Sequence, residues 1–132
     1  MQTMSKWTFP LVRLPMQGDE DATLMEDWLV EVDGWRFAVP AGIWTDGASI
    51  PRVLWSVCGH PLQAPRVYAA LVHDWLYGGF GPSVMTRREA DAIYRDLLVL
   101  FGWGRVRAWI EWTAIRLFGW SHWTKRKKED MT

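Results

Sequence analysis

Two apolar runs, Trp28-Leu-Val-Glu-Val32 and Trp35-Arg-Phe-Ala-Val39, flank the dipeptide Asp33-Gly34. Asp-Gly between such runs is the strongest short-range hairpin signal, because a type I′ turn needs two residues that tolerate positive φ. Pro40-Ala-Gly42 breaks the pattern, and Ile43-Trp44 begins another short strand. Upstream, residues 1–21 read as an irregular arm. Within it Trp7-Thr-Phe-Pro-Leu-Val-Arg-Leu-Pro15 suits only a sheet edge, since Pro10 cannot donate to a ladder.

Downstream the pattern becomes helical. Val67–Tyr77 is almost wholly apolar, follows Pro65 and ends at Gly78-Gly79. Proline suits a first helical turn and glycine the position past the last. A helix apolar on every side is a core element. Thr86-Arg-Arg-Glu89 has the form of a capping box and opens a helix that runs to Phe101, where Gly102 stops it. Its apolar stripe is Ala90, Ile93, Tyr94, Leu97 and Phe101, with Asp91 at the border. A last helix is expected from Gly104 to about Phe118. Its expected core face is Val106, Trp109, Ile110, Thr113 and Leu117, flanked by Trp112 and Ile115. Between strands and helices, Thr45-Asp-Gly-Ala-Ser-Ile-Pro51 is a tight loop, and Pro51 opens a short helix to about Val57.

These elements predict an α+β fold: a β-hairpin or small antiparallel meander, then three to four helices. A single domain over 1–132 is expected, with a hairpin region at 22–45, a helical region at 50–120 and a basic tail at 121–132.

Composition narrows the class. The chain is 49% hydrophobic and 23% charged, which is globular and not disordered. A lone Cys58 excludes an internal disulfide framework. No window has the make-up of a signal peptide, and no apolar run is long enough for a membrane span. Net charge is zero but unevenly placed: residues 1–64 hold four Lys/Arg against eight Asp/Glu, and residues 65–132 hold eleven against seven. The eleven tryptophans exceed what a core alone asks for and point to a protein or lipid contact.

Only His73 and Asp74 are ionisable inside the apolar helix. Burying such groups is costly unless they are paired or bind something. His73 and Tyr77 are four apart and share a face, while Asp74 points about 100° away. If the next helix packs antiparallel, Asp91 reaches the far ring nitrogen of His73. That arrangement supplies a general base, an orienting carboxylate and a separate carboxylate for a metal. Oxygen ligands suit calcium, with backbone carbonyls from Thr45–Ser49 or Gly78–Gly81. Asp46 is a further metal candidate, or else a turn residue bonding the backbone. The plain alternative for His73 is a core histidine bonded to neighbouring backbone.

Other constellations are weaker. Ser49 with His73 lacks a Gly-x-Ser-x-Gly elbow. A phosphohydrolase set of His60, His73, Asp74 and Asp91 places His60 in a loop. Cys58, His60 and His73 have no standard zinc spacing. Trp109, Trp112, Trp120 and Trp123, followed by Lys125-Arg-Lys-Lys128, suit either a bilayer interface or a packed helix with a solvated tail. Four basic residues alone make nucleic acid an unlikely partner.

Two resemblances follow. His73-Asp-Trp-Leu-Tyr77 with Asp91-Ala-Ile-Tyr94 resembles the catalytic helix pair of secreted phospholipase A2, over roughly residues 68–98. That likeness implies His73 as the base that activates water, Asp74 as a calcium ligand, and Asp91 with Tyr77 bracing His73. The cysteines of that family are absent, so Thr45–Ser49 would replace its calcium loop. Val39–Arg52, His73–Tyr77 and Arg88-Glu-Ala-Asp91 together resemble a small family of phage and prophage proteins known only as a domain of unknown function. This second likeness implies a viral or prophage origin and leaves the activity open; the expected place is the host cytoplasm or the virion, and the expected partner a phospholipid surface or another phage protein. The function expected is a calcium-dependent lipid or ester hydrolase. Its alternative is a non-enzymatic virion or assembly protein in which His73 and Asp74 are a buried brace.

Overall fold

The computed structural model describes residues 9–14, 21–45, 66–82, 84–120 and 123. Among these residues five short strands come first. The hairpin strands β3 (Trp28–Val32) and β4 (Trp35–Val39) pair antiparallel, with Val30 opposite Phe37 and Trp28 opposite Val39. Every second residue of β3 is buried, so Trp28, Val30 and Val32 face inward with Phe37 and Val39 of β4. Asp33 and Gly34 both have positive φ, 52° and 81°, as a type I′ turn requires.

A separate three-stranded antiparallel sheet has β2 (Ala22–Leu24) in the middle, between β1 (Val12–Arg13) and β5 (Trp44–Thr45). The expected edge position of β1 is observed: among the described residues it pairs with β2 alone. The α+β class is thus the one the pattern predicts.

Among the described residues three helices follow. The first, α1 (Arg66–Tyr77), buries ten of its twelve residues, as an all-round apolar pattern demands. Each fully buried Leu or Val in it contributes roughly 1.5–3 kcal/mol. Next, α2 (Arg87–Leu100) begins at the expected capping box: Thr86 Oγ1 accepts from the Glu89 N–H at 3.2 Å, and Glu89 Oε1 accepts from the Thr86 N–H at 2.9 Å. It ends at Phe101, and Gly102 then takes φ +89°. The last helix, α3 (Arg105–Phe118), starts after Gly104. The short helix expected after Pro51 and the basic tail lie outside the described residues.

The face of α3 that enters the core corrects the expectation. Its buried residues are Ala108, Glu111, Ala114 and Ile115, while Val106, Trp109, Thr113 and Leu117 are exposed. Small residues at 108 and 114 let the backbone approach α2, and Glu111 is drawn inward by three hydrogen-bond donors. The bulkier apolar set is left on the outer face.

Helices α1, α2 and α3 pack in chain order, with β5 against α1 and β3 against α2. The end of α1 meets the start of α2, where Tyr77 bonds Asp91. That start in turn meets the end of α3, where Arg87 Nη2 donates to the carbonyls of Ile115 and Arg116 at 3.0 and 2.8 Å. Neighbouring helices therefore run antiparallel.

At the hairpin turn, Asp33 shares a hydrogen bond with Asp96 of α2. Burial, then that bond and the Asp96 charge, push the Asp33 carboxyl up to about 7, against a smaller pull from Arg95. The folded pKa lies above the unfolded one. This contact therefore stabilises fully below about pH 4 and is lost as pH rises through 7. Asp33→Asn keeps a donor toward Asp96 and tolerates positive φ. Its melting temperature should exceed the wild type's by a few degrees at pH 8, and the gap should close near pH 5. Equal melting curves at both pH values would refute the shared proton.

Candidate functional site

Asp91 is fully buried near the start of α2 and takes hydrogen-bond donors from α1 and α3, with an arginine of its own helix close by. From α1, His73 Nε2 lies 2.9 Å from Asp91 Oδ1, and the Tyr77 hydroxyl donates to the same oxygen at 2.5 Å. From α3, Arg116 Nη1 donates to Oδ2 at 2.7 Å. From α2 itself, Arg87 Nε stands 3.7 Å from Oδ2 and donates to the Tyr77 hydroxyl at 3.1 Å. Burial raises the Asp91 pKa, but the hydrogen bond and charge of His73, then Tyr77 and Arg116, outweigh it. The carboxyl is left below its ordinary 3.8. Burial, followed by the neighbouring Asp91 charge, pushes the Tyr77 phenol well above its usual range, so it remains a donor.

An ionised carboxylate can only accept, so Nε2 carries the hydrogen of this pair. In the neutral ring the lone pair then sits on Nδ1. No described residue hydrogen-bonds Nδ1, and Asp74 Oδ1 lies 4.0 Å from it. His73 is 1% exposed, whereas the Asp74 side chain is 26% exposed. The imidazole is wedged between two rings, with Tyr77 at 4.2 Å and Tyr94 at 5.1 Å between centroids.

A second buried charge lies beyond Tyr94. Glu111 of α3 accepts from Arg66 Nε and from the Tyr94 hydroxyl on Oε1, each at 2.7 Å, and from Trp103 Nε1 on Oε2 at 2.7 Å. Both charged side chains of this pair are fully buried. Tyr94 thus has its ring against His73 and its hydroxyl on Glu111, which links the two centres.

The structure brings together His73, Tyr77, Asp91 and Asp74. Asp46, Ser49, Cys58 and His60 lie outside the described residues. Among the described residues no group of three or more His, Cys, Asp or Glu could hold a metal, and no helix is long and apolar enough to cross a membrane. Sequence reasoning missed Arg87, Arg116, Arg66 and Glu111. Two signals were present: Arg87 stands four residues before Asp91 on one helix face, and Glu111 is the sole carboxylate in α3.

Fold and site define an α+β protein with a histidine–carboxylate pair buried between two antiparallel helices. The chain belongs to the family described as "Protein of unknown function (DUF1353)", whose model matches residues 22–115. It is similar to the uncharacterized protein y4iH of Sinorhizobium fredii strain NGR234, with 27% identity over 112 residues, 85% of this chain and 46% of the relative. A second relative from that strain, the uncharacterized protein y4jT, is 40% identical over 43 residues, 33% of this chain and 13% of the relative. The chain therefore spans less than half the length of either relative. No solved structure matches.

Proposed function

We propose that the chain is a calcium-dependent hydrolase of lipid or other carboxylic esters, with His73 as its base. The observation that carries this is the division of the imidazole: Nε2 is bonded to Asp91, while Nδ1 faces Asp74 without a hydrogen bond from any described residue. Nδ1 takes a proton from water as the water oxygen bonds to the ester carbonyl carbon. The carbon–oxygen bond to the leaving alcohol then breaks, and the proton passes from Nδ1 to that oxygen. Asp91 holds the ring in the required tautomer, and Tyr77 and Arg116 hold Asp91.

Asp74 offers a hard oxygen beside the imidazole and is partly open to solvent, which fits a calcium ligand. Asp46 and backbone carbonyls of Thr45–Ser49 or Gly78–Gly81 would complete the six to eight oxygens that calcium takes. When bound, calcium would polarise the ester carbonyl. The motif likeness to phage and prophage proteins supports a viral origin, with the host cytoplasm or the virion as its place.

One observation favours a second reading. Asp91 is satisfied by donors from α1 and α3, with Arg87 of its own helix alongside, which braces the fold whether or not a substrate arrives. In this reading the chain is a non-enzymatic virion or assembly protein. Phospholipid vesicles and a soluble ester, each with calcium, separate the two. On the hydrolase reading His73→Gln lowers turnover by about 10²–10⁴-fold with an unchanged circular dichroism spectrum. Calcium at a hundredfold above its Kd should add about 2.7 kcal/mol of stability, and Asp74→Asn should abolish the gain. No turnover by the wild type and no thermal shift with calcium leave the brace reading.

A further inference from the structure

The antiparallel packing gathers the end of α1, the start of α2 and the end of α3 at one end of the molecule. Gly119 fixes how close they come: a Cβ there would meet the Tyr77 hydroxyl at 3.1 Å and the Ile115 carbonyl at 2.7 Å. Trp123 stacks edge-on against Tyr77 at 5.3 Å, so the chain stays at this end beyond α3. Large apolar side chains stand in solvent around it. Phe80 is 63% exposed, Val84 76%, Phe118 59% and Trp120 58%.

Charge says what covers them. Arg87, Arg88 and Arg116 sit at the same end, and Lys125-Arg-Lys-Lys128 follows Trp120 within eight residues. Of the acids there, Asp91 is paired with Arg87 and Arg116, Glu89 is held in the Thr86 cap, and Asp74 lies one turn back from the end of α1, so the excess of positive charge comes from the basic run. From Arg116 onward there are five Lys/Arg against two Asp/Glu. The first half of the chain is acidic by four charges. A negative surface would therefore draw the basic run, and this end with it, toward itself. Aromatic tips beside cationic groups match the headgroup zone of a bilayer, where Trp is favoured and each nearby Lys or Arg adds attraction to anionic lipid.

We infer that this end of the molecule, with Phe80, Val84, Phe118 and Trp120 at its tip and the basic run next in the chain after Trp123, docks on the surface of an anionic lipid bilayer. The inference rests on this surface alone and does not require that His73 be catalytic. Its place at the Tyr77–Asp91 end would bring the candidate site to the lipid.

The test is sedimentation of the full chain with phosphatidylcholine vesicles and with equal mixtures of phosphatidylcholine and phosphatidylglycerol. The chain should bind the mixed vesicles, more weakly as salt rises, and ignore phosphatidylcholine alone. Phe118→Ser with Trp120→Ser should weaken binding by roughly tenfold or more, through lost apolar burial. Changing Lys125, Arg126, Lys127 and Lys128 to Gln should do the same by removing attraction to the anionic headgroups, and should flatten the salt dependence. His73→Gln should bind like the wild type, which separates docking from hydrolysis. Circular dichroism checks that each variant is folded. Equal binding to both vesicle types, or unchanged binding by folded variants, would overturn the inference. So would a dimer that ignores vesicles and is split by Phe118→Ser with Trp120→Ser.

Discussion

Glu111→Gln should destabilise the protein by roughly 3–5 kcal/mol, because it removes the charge that the buried Arg66 Nε is bonded to. That is a large share of the 5–15 kcal/mol a domain of this kind has in total. The amide keeps one acceptor oxygen, but the carboxylate used two: Oε1 for Arg66 and Tyr94, and Oε2 for Trp103. One of those donors would now face an NH₂ group. Urea unfolding measures the loss as a lower midpoint at unchanged slope. Arg66→Met with Glu111→Leu removes both charges, so the pair should lose less than the two single changes summed. A loss under about 1 kcal/mol for Glu111→Gln would mean that water reaches Arg66 in solution.

Asp91→Asn should act on stability and on activity together. Arg116 and Arg87 lose their shared carboxylate, and either Tyr77 or His73 meets an amide donor. Because the two guanidiniums are partly exposed, a loss of about 2–3 kcal/mol is expected. Turnover by the folded fraction should fall by roughly 10²–10⁴-fold, since His73 loses the partner that sets its tautomer. Acid unfolding gives a second reading of the same change. The folded pKa of Asp91 lies below its unfolded value of 3.8, so its contribution is present above about pH 4 and is lost as pH falls through the folded value. Asp91→Asn should show a shallower decline in that range. A variant as stable and as acid-sensitive as the wild type would show that Asp91 does not hold the helices.

The hairpin and helix boundaries were legible because local chemistry sets them. Asp33-Gly34 carries its own turn geometry, and the Thr86–Glu89 box carries its own cap. His73, Asp74, Tyr77 and Asp91 could be placed near one another because i, i+4 spacing and antiparallel packing follow from helix geometry. Arg116 was not legible: it lies twenty-five residues from Asp91, and only the packing of α3 on α2 brings it there. The facing of α3 failed for a different reason. Pattern reading gives the core to the larger apolar stripe, yet here the core took alanines and a carboxylate. Glu111 satisfies the same criterion that singled out His73, an ionisable residue inside an apolar helix, but in α3 that criterion was not applied.

Asp91 also constrains how the chain can change over generations. Four side chains from three helices lean on one carboxylate, so few single substitutions there leave the others satisfied. Losing Asp91 strands two guanidiniums, and losing Arg116 leaves a buried charge half-neutralised. A lineage altering any member must pass through a weakened intermediate unless its partners change with it. His73, Tyr77, Arg87, Asp91 and Arg116 should therefore drift as a block.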